Sequence, residues 1–208
     1  MNASDKHWSN IYTNTPMNRL GWYEESPKVI LEQIGKLDLK DGANIFIPGV
    51  GLSSIAKTLT DNGFTVETTD ISSSAVDEFR RMYPELANNI YQHNITEPLN
   101  KVDYFDLWID RAVLHFLLSD QAIQSYLENM NRALKIGGYI VLAQFAISGA
   151  EKCAGLPVKR YSPESLSDLL SAKYLSAKYL PVHTSEFTFF NPAGEAKPYT
   201  LGIFQRVS

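Results

Sequence analysis

Residues 44–59, NIFIPGVGLSSIAKTL, run a strand, a glycine turn and a helix start together, and an acid follows at Asp70. Ile45, Phe46 and Ile47 predict a short buried strand. Gly49 and Gly51 permit a tight turn in which backbone approaches a ligand closely, since neither has a side chain in the way. Ser53 and Ser54 are the expected caps of a helix continuing through Ile55, Ala56 and Leu59. The next strand, FTVETTD, ends at Asp70, nineteen residues after Gly51. A carboxylate at a strand end with that spacing suits the two hydroxyls of a ribose. Turn and acid together point to a nucleoside-containing cofactor without saying which.

A chain of 208 residues, 44% hydrophobic and 20% charged, is expected to form one globular domain. Its formal net charge of −4 with no long basic run disfavours nucleic acid as the main partner. A single cysteine, Cys153, excludes an intramolecular disulfide and a multi-cysteine zinc site. No apolar run reaches membrane-spanning length and the N-terminus lacks a secretory pattern, so the expected setting is cytoplasmic.

Residues 1–26 are aromatic and polar and are expected to strap across the domain or cover its site. Pro27 opens a helix with Val29, Ile30, Ile34 and Leu37 at helical spacing. Ser72 caps a helix carrying Ala75, Val76, Phe79 and Met82. A strand near 89–93 leads to Asn94, and DYFDLWID predicts another ending at Asp110. A helix over about 119–135 is expected to stop at Gly137 and Gly138, before the strand YIVLAQFA. Residues 147–162 read as a long loop, Ser162 and Pro163 as a helix start, and VHTSEFTFF and PYTLGIFQRV as strands around a turn. The pentapeptide repeat in SAKYLSAKYL reads as a local duplication extending a helix or loop. The alternation predicts an α/β fold: a doubly wound, mostly parallel seven-stranded sheet with an antiparallel C-terminal hairpin.

The glycine turn, the acid after the second strand and the closing hairpin resemble the class I S-adenosylmethionine-dependent methyltransferases. Three further stretches, HWSNIY…GWYEESP, IDRAVLHFLLSD and AEKCAGLPVKRYSPESL, resemble a bacterial subgroup of small methyltransferases. The resemblance implies S-adenosylmethionine as cofactor, with Gly49 and Gly51 passing its methionine end. It places Asp70 on the ribose with Ile71 beside it, and Asn94 and Ile95 at the adenine. Asp110 would face methyl donor and acceptor. Two positions depart from the family's pattern: Ile47 stands where an acid is usual, and Ser53 where a third glycine is frequent.

Arg111 and His115, four apart, would share a face of a helical turn, with His115 as base at the acceptor. The plainer alternatives are a hydrogen-bonded packing histidine and a structural arginine. Arg160 and Tyr161 are candidates to hold a polar or anionic substrate. Positive neighbours would raise the thiolate fraction of Cys153, although a half-buried loop cysteine is the simpler expectation. Trp8, Tyr12, Trp22 and Tyr23 are expected to cover the site, Trp22 on the cofactor, or else to form a strap over the helices.

The implied activity is methyl transfer to a small-molecule acceptor by in-line displacement, with no metal, by a monomer or homodimer. The alternatives are a protein side-chain methyltransferase and a cofactor-binding relative without turnover. A nicotinamide oxidoreductase fits less well, because the turn lacks its third glycine.

Overall fold

The computed structural model describes residues 3–171 and 175–208. Its strands are β1 (Asn44–Ile47), β2 (Thr65–Asp70), β3 (Ile90–Gln92), β4 (Phe105–Arg111), β5 (Leu134–Phe145), β6 (Lys152–Cys153), β7 (Leu156–Pro157), β8 (Tyr179–Phe190) and β9 (Ala196–Arg206). The α-helices are α1 (Ala3–Asn14), α2 (Lys28–Ile34), α3 (Ile55–Asp61), α4 (Ser73–Met82), α5 (Asp120–Ala133) and α6 (Pro163–Leu169). A seven-stranded sheet runs in the order β3-β2-β1-β4-β5-β9-β8. This is the expected α/β sheet with an antiparallel end. Two compact units make up the chain, residues 1–94 with 191–194, and 95–190 with 195–208.

In the first unit β1, β2 and β3 are parallel, with Ile45 opposite Val66 and Thr68 opposite Ile90. Ile45, Phe46 and Ile47 are all buried, as an apolar run covered on both faces requires. Helices α3 and α4 pack on β2, and α4 also on β3. Ser72 caps α4, its Oγ accepting the Ala75 N–H at 3.1 Å, and Ala75, Val76 and Phe79 point inward.

Three local expectations change here. Ser53, not Ser54, accepts the Ile55 N–H (3.3 Å), while the Ser54 hydroxyl donates to the Glu25 carbonyl. Helix α2 is shorter than its pattern, burying Ile30 and Ile34 but leaving Val29 exposed. Residues 3–14 form a helix, α1, which docks on α4 through side-chain hydroxyls.

In the second unit β4 and β5 are parallel, with Asp110 opposite Leu142. Strand β9 runs antiparallel to β5, and β8 antiparallel to β9. Helix α5, capped by Ser119, buries Ile123, Tyr126, Leu127 and Met130 on one face. Gly137 and Gly138 do not end it. The backbone turns extended at Leu134, and both glycines lie inside β5. A Cβ on Gly138 would press on the Lys135 and Asp106 carbonyl oxygens, so close backbone approach explains that glycine. The 147–162 segment is not irregular throughout, because β6 and β7 pair within it as a small hairpin. Ser162 and Ser165 form the capping box of α6. Of the repeat at 171–180, residues 172–174 lie outside the described residues, and Tyr179 and Leu180 open β8. Among the described residues no helix is long and apolar enough to cross a membrane.

Candidate functional site

The glycine turn of the first unit takes the form its sequence demands. Gly49 and Gly51 have φ of 56° and 53°, the left-handed region that costs other residues energy. The Val50 N–H donates to the Thr69 carbonyl at 3.0 Å, and the Gly51 N–H donates to Asp70 Oδ2 at 2.9 Å. Asp70 Oδ1 accepts the Ser72 N–H at 2.8 Å. One carboxylate at the end of β2 thus ties the glycine turn to the start of α4. Burial pushes the Asp70 carboxyl up to about 6, against the Ser72, Gly51 and Ile71 N–H groups, which favour its ionised form. A carboxylate has about four acceptor sites, so capacity remains beyond these bonds for a hydroxyl donor.

Helix α1 lies over this end of the strands. Ser9 Oγ donates to Asp5 Oδ1 at 2.8 Å and meets Ser72 Oγ at 2.9 Å, and the Ser73 N–H donates to Asp5 at 3.2 Å. The aromatic segment forms an edge-to-face cluster, with Trp22 5.6 Å from Trp8 and 6.1 Å from Tyr12. A Cβ built on Gly51 would run into the Tyr12 hydroxyl. Gly51→Ala is therefore expected to destabilise by about 2 kcal/mol from left-handed strain and displacement of Tyr12. Adding Tyr12→Phe should recover only the part due to contact. Urea unfolding of Gly51→Ala, Tyr12→Phe and the double variant against wild type measures the split. Ile71 and Asn94 are half-buried, with the Ile71 carbonyl accepting Gln92 Nε2 at 3.0 Å.

In the second unit Ile95 is buried, and its carbonyl accepts Asn129 Nδ2 at 2.8 Å. Asp110, at the end of β4, is fully buried, and four donors converge on it. Val113 N–H (2.9 Å) and Gln144 Nε2 (2.8 Å) reach Oδ1; Leu114 N–H (3.0 Å) and the Tyr126 hydroxyl (2.7 Å) reach Oδ2. Trp108 Nε1 extends the chain by donating to the Tyr126 hydroxyl at 2.9 Å. The carboxylate folds the turn after β4.

What that turn presents is Arg111 and His115. Ala112 sits at φ 66°, a left-handed conformation that an alanine holds only when its surroundings fix it. Asp110 and the Ala112 N–H to Ala143 carbonyl bond (2.9 Å) supply that fixing. Gln144 Oε1 accepts the His115 N–H at 3.1 Å. Arg111 belongs to β4 and His115 to a 3-10 turn (Leu114–Phe116), so they do not share a helix face as expected. They are close nonetheless. Burial, reinforced by the Arg111 charge, pushes the His115 imidazole down to about 3, so it is neutral at pH 7. Both ring nitrogens are buried and have no hydrogen-bond partner among the described residues; the ring lies between Phe116 (4.4 Å) and Phe145 (4.7 Å).

The Arg160 guanidinium donates to the Ile147 and Gly149 carbonyls and to Glu151, bracing its own loop. Tyr161 is buried, its N–H donating to the Phe145 carbonyl and its carbonyl accepting Thr200 Oγ1. Burial pushes the Cys153 thiol up to about 11 although Lys197 and Arg111 act against it. Burial thus outweighs the positive neighbours, and the cysteine is half-buried as the simpler expectation had it. Sequence reasoning missed Tyr126 and Gln144. Tyr126 reads as one more apolar helix position, whereas Gln144 is the lone polar residue of YIVLAQFA and could have been flagged.

Strand order and the placement of an acid at the end of β2 define a Rossmann-like domain of the methyltransferase type. Residues 47–142 match the methyltransferase domain family, and the strand order is that of the Rossmann-like methyltransferase fold. No curated protein matches the sequence. Among solved structures, one reported for the conversion of a disulfide bond into a thioacetal group during echinomycin biosynthesis is 17% identical, with TM-score 0.75. The alignment covers 98% of this chain and 92% of that one. A methyltransferase of Anabaena variabilis is 13% identical with TM-score 0.74, covering 98% and 93%. The 1,6-didemethyltoxoflavin-N1-methyltransferase of Burkholderia thailandensis, solved with that compound and S-adenosylhomocysteine, is 15% identical with TM-score 0.67, covering 99% and 85%. At such identities these likenesses concern the fold.

Proposed function

We propose that the protein transfers a methyl group from S-adenosylmethionine to a small-molecule acceptor. The observation that carries this reading is the bond from the Gly51 N–H to Asp70, within residues matching a methyltransferase domain. It joins a glycine cradle and a ribose-type acid into one unit. The cradle fits such a cofactor, because Gly49 and Gly51 lack side chains and Asp70 keeps acceptor capacity for ribose hydroxyls. Ile71, Asn94, Ile95 and Trp22 are the further cofactor residues of this reading. When bound, the cofactor supplies a methyl group on a positively charged sulfur, already activated for displacement.

The chain's own share is to bind, align and exclude water, and where the acceptor carries a proton, to remove it. In this reading His115 takes that proton: it is neutral at pH 7, though burial and the Arg111 charge make it a weak base until an acceptor is seated beside it. The small-molecule acceptor is favoured by the methyltransferase neighbour solved with 1,6-didemethyltoxoflavin. His115→Ala is expected to lower turnover at least tenfold while changing S-adenosylmethionine affinity less than threefold, as a proton-transfer role implies. Full activity of that variant across pH 5–9 would remove the histidine as a base. Calorimetric titration with S-adenosylmethionine, S-adenosylhomocysteine and NAD tests the cofactor. Binding of the adenosyl pair alone supports it, and binding of NAD alone overturns it.

A further inference from the structure

We propose that Gln144 is the positioning residue for His115, holding it through the backbone so that neither ring nitrogen is spent on orienting the imidazole. The proposal rests on the methyl-transfer reading for what the ring then does, while the placement itself stands on the second unit alone.

A glutamine is out of keeping with its surroundings here. Strand β5 is paired on both sides, by β4 and β9, and Ile140 to Phe145 are all buried. Gln144 is the polar member of that run. A buried amide is costly unless both its ends are bonded, and ordering the side chain costs up to about 2 kcal/mol more. Both ends are bonded. Nε2 donates to Asp110 Oδ1 (2.8 Å) and to the Asp110 carbonyl (3.3 Å), while Oε1 accepts the His115 N–H (3.1 Å). The two ends cannot be exchanged, because an N–H needs the oxygen, and a carboxylate and a carbonyl need the nitrogen. One side chain thus couples the end of β4 to the turn that carries His115.

The far side of the histidine is held as well. Its carbonyl accepts the Lys159 N–H at 2.8 Å, so its backbone donor and its backbone acceptor are both fixed from outside the turn. The ring itself packs between Phe116 and Phe145. A catalytic histidine is often oriented by an acid on one ring nitrogen, which occupies that nitrogen and stabilises the protonated ring. Asp110 instead bonds Val113, Leu114, Tyr126 and Gln144. The charged groups on the segments bonded to this turn are Asp110 and Arg111 of β4 and Lys159. Burial, then the Arg111 charge, keeps the ring neutral. A neutral imidazole has one N–H and one lone pair, and this placement leaves both for the acceptor molecule.

The test follows the four histidine rings of the intact protein by NMR as pH is lowered, in wild type, Gln144→Leu and Gln144→Glu. Circular dichroism checks that the variants are folded. In the wild type the His115 ring is expected to stay unprotonated down to about pH 4.5, where an ordinary histidine is charged. Gln144→Leu removes both amide ends, so the turn loosens and water reaches the ring. Its midpoint should rise to between about 5 and 6.5, with His7, His93 and His183 unchanged. A residue that only added stability would leave all four midpoints in place. Gln144→Glu keeps an oxygen for the His115 N–H and regains a donor toward Asp110 once its carboxyl is protonated. The His115 signal should therefore pass from the Gln144→Leu position to the wild-type position as pH falls. A wild-type midpoint near about 6.5, or one midpoint shared by wild type and folded variants, overturns the proposal. On the unaltered protein the His115 N–H and the Gln144 amide protons should both exchange slowly. Fast exchange of either overturns the proposal even where no variant folds. None of these signals is read with a nucleoside present, so failure to bind S-adenosylhomocysteine tells instead against the methyl-transfer reading.

Discussion

Asp70→Ala is expected to weaken S-adenosylmethionine binding at least tenfold, read by calorimetry. Hydrogen bonds to a charged group are worth about 1.5–3 kcal/mol each, and ribose hydroxyls offer two. The loss also reaches the turn, since the Gly51 and Ser72 N–H groups both lose the oxygen that holds them. Asp70→Asn separates these effects, because its amide keeps one oxygen for an N–H while the charge goes. Wild-type affinity in both variants would sink the ribose assignment.

The same carboxyl leaves a mark on stability. Its value in the fold is about 6 against 3.8 as the ordinary value, with burial the cause. Between those limits the folded chain holds a proton that the unfolded chain has lost, so stability falls as pH rises through about 4 to 6. The contribution is on the order of 3 kcal/mol at full development. Other carboxyls titrate in that window, so the quantity to measure is wild type minus Asp70→Asn, by urea unfolding at pH 4 and pH 7. The wild type should lose stability relative to the variant on going to pH 7. A flat difference would mean that Asp70 ionises without cost.

The elements around Asp70 were legible because each rests on local chemistry. Apolar Ile45, Phe46 and Ile47 make a covered strand, glycine at 49 and 51 a left-handed turn, and Ser72 a cap. Their order along the chain is enough to foresee the sheet. Helix α1 was not legible as a helix. Its inward residues toward α4 are Asp5 and Ser9, so the period that marks a packed helix is carried by polar side chains. The partners of Arg160 were not legible for a similar reason. The loop it braces through Ile147 and Gly149 is distant by eleven residues or more in sequence, and no spacing rule anticipates a carbonyl partner. Arg111 and His115 were singled out by spacing on an imagined helix. The structure keeps them close through a strained turn at Ala112 instead, so the local geometry behind that choice was wrong.

That turn is why Asp110→Ala should be the most damaging single change to the fold. The substitution removes both acceptors from two backbone N–H groups, a tyrosine hydroxyl and a glutamine amide, all enclosed by protein. Each buried donor left unpaired costs about 1–3 kcal/mol, and a lone Ala112 in left-handed backbone then lacks its restraint. The costs overlap, so we expect a loss of about 4 kcal/mol or more, comparable to the whole stability of an ordinary domain. Tyr126→Phe deletes one donor to Asp110 but strands the Trp108 indole N–H, and should cost about 1–2 kcal/mol. Urea unfolding, followed through tryptophan fluorescence, ranks the two. Should Asp110→Ala unfold at the wild-type midpoint yet lose turnover, the carboxylate would belong to the chemistry after all. An insoluble or early-unfolding Asp110→Ala, with Tyr126→Phe in between, would mean that Asp110 serves the reaction by shaping the backbone that carries Arg111 and His115.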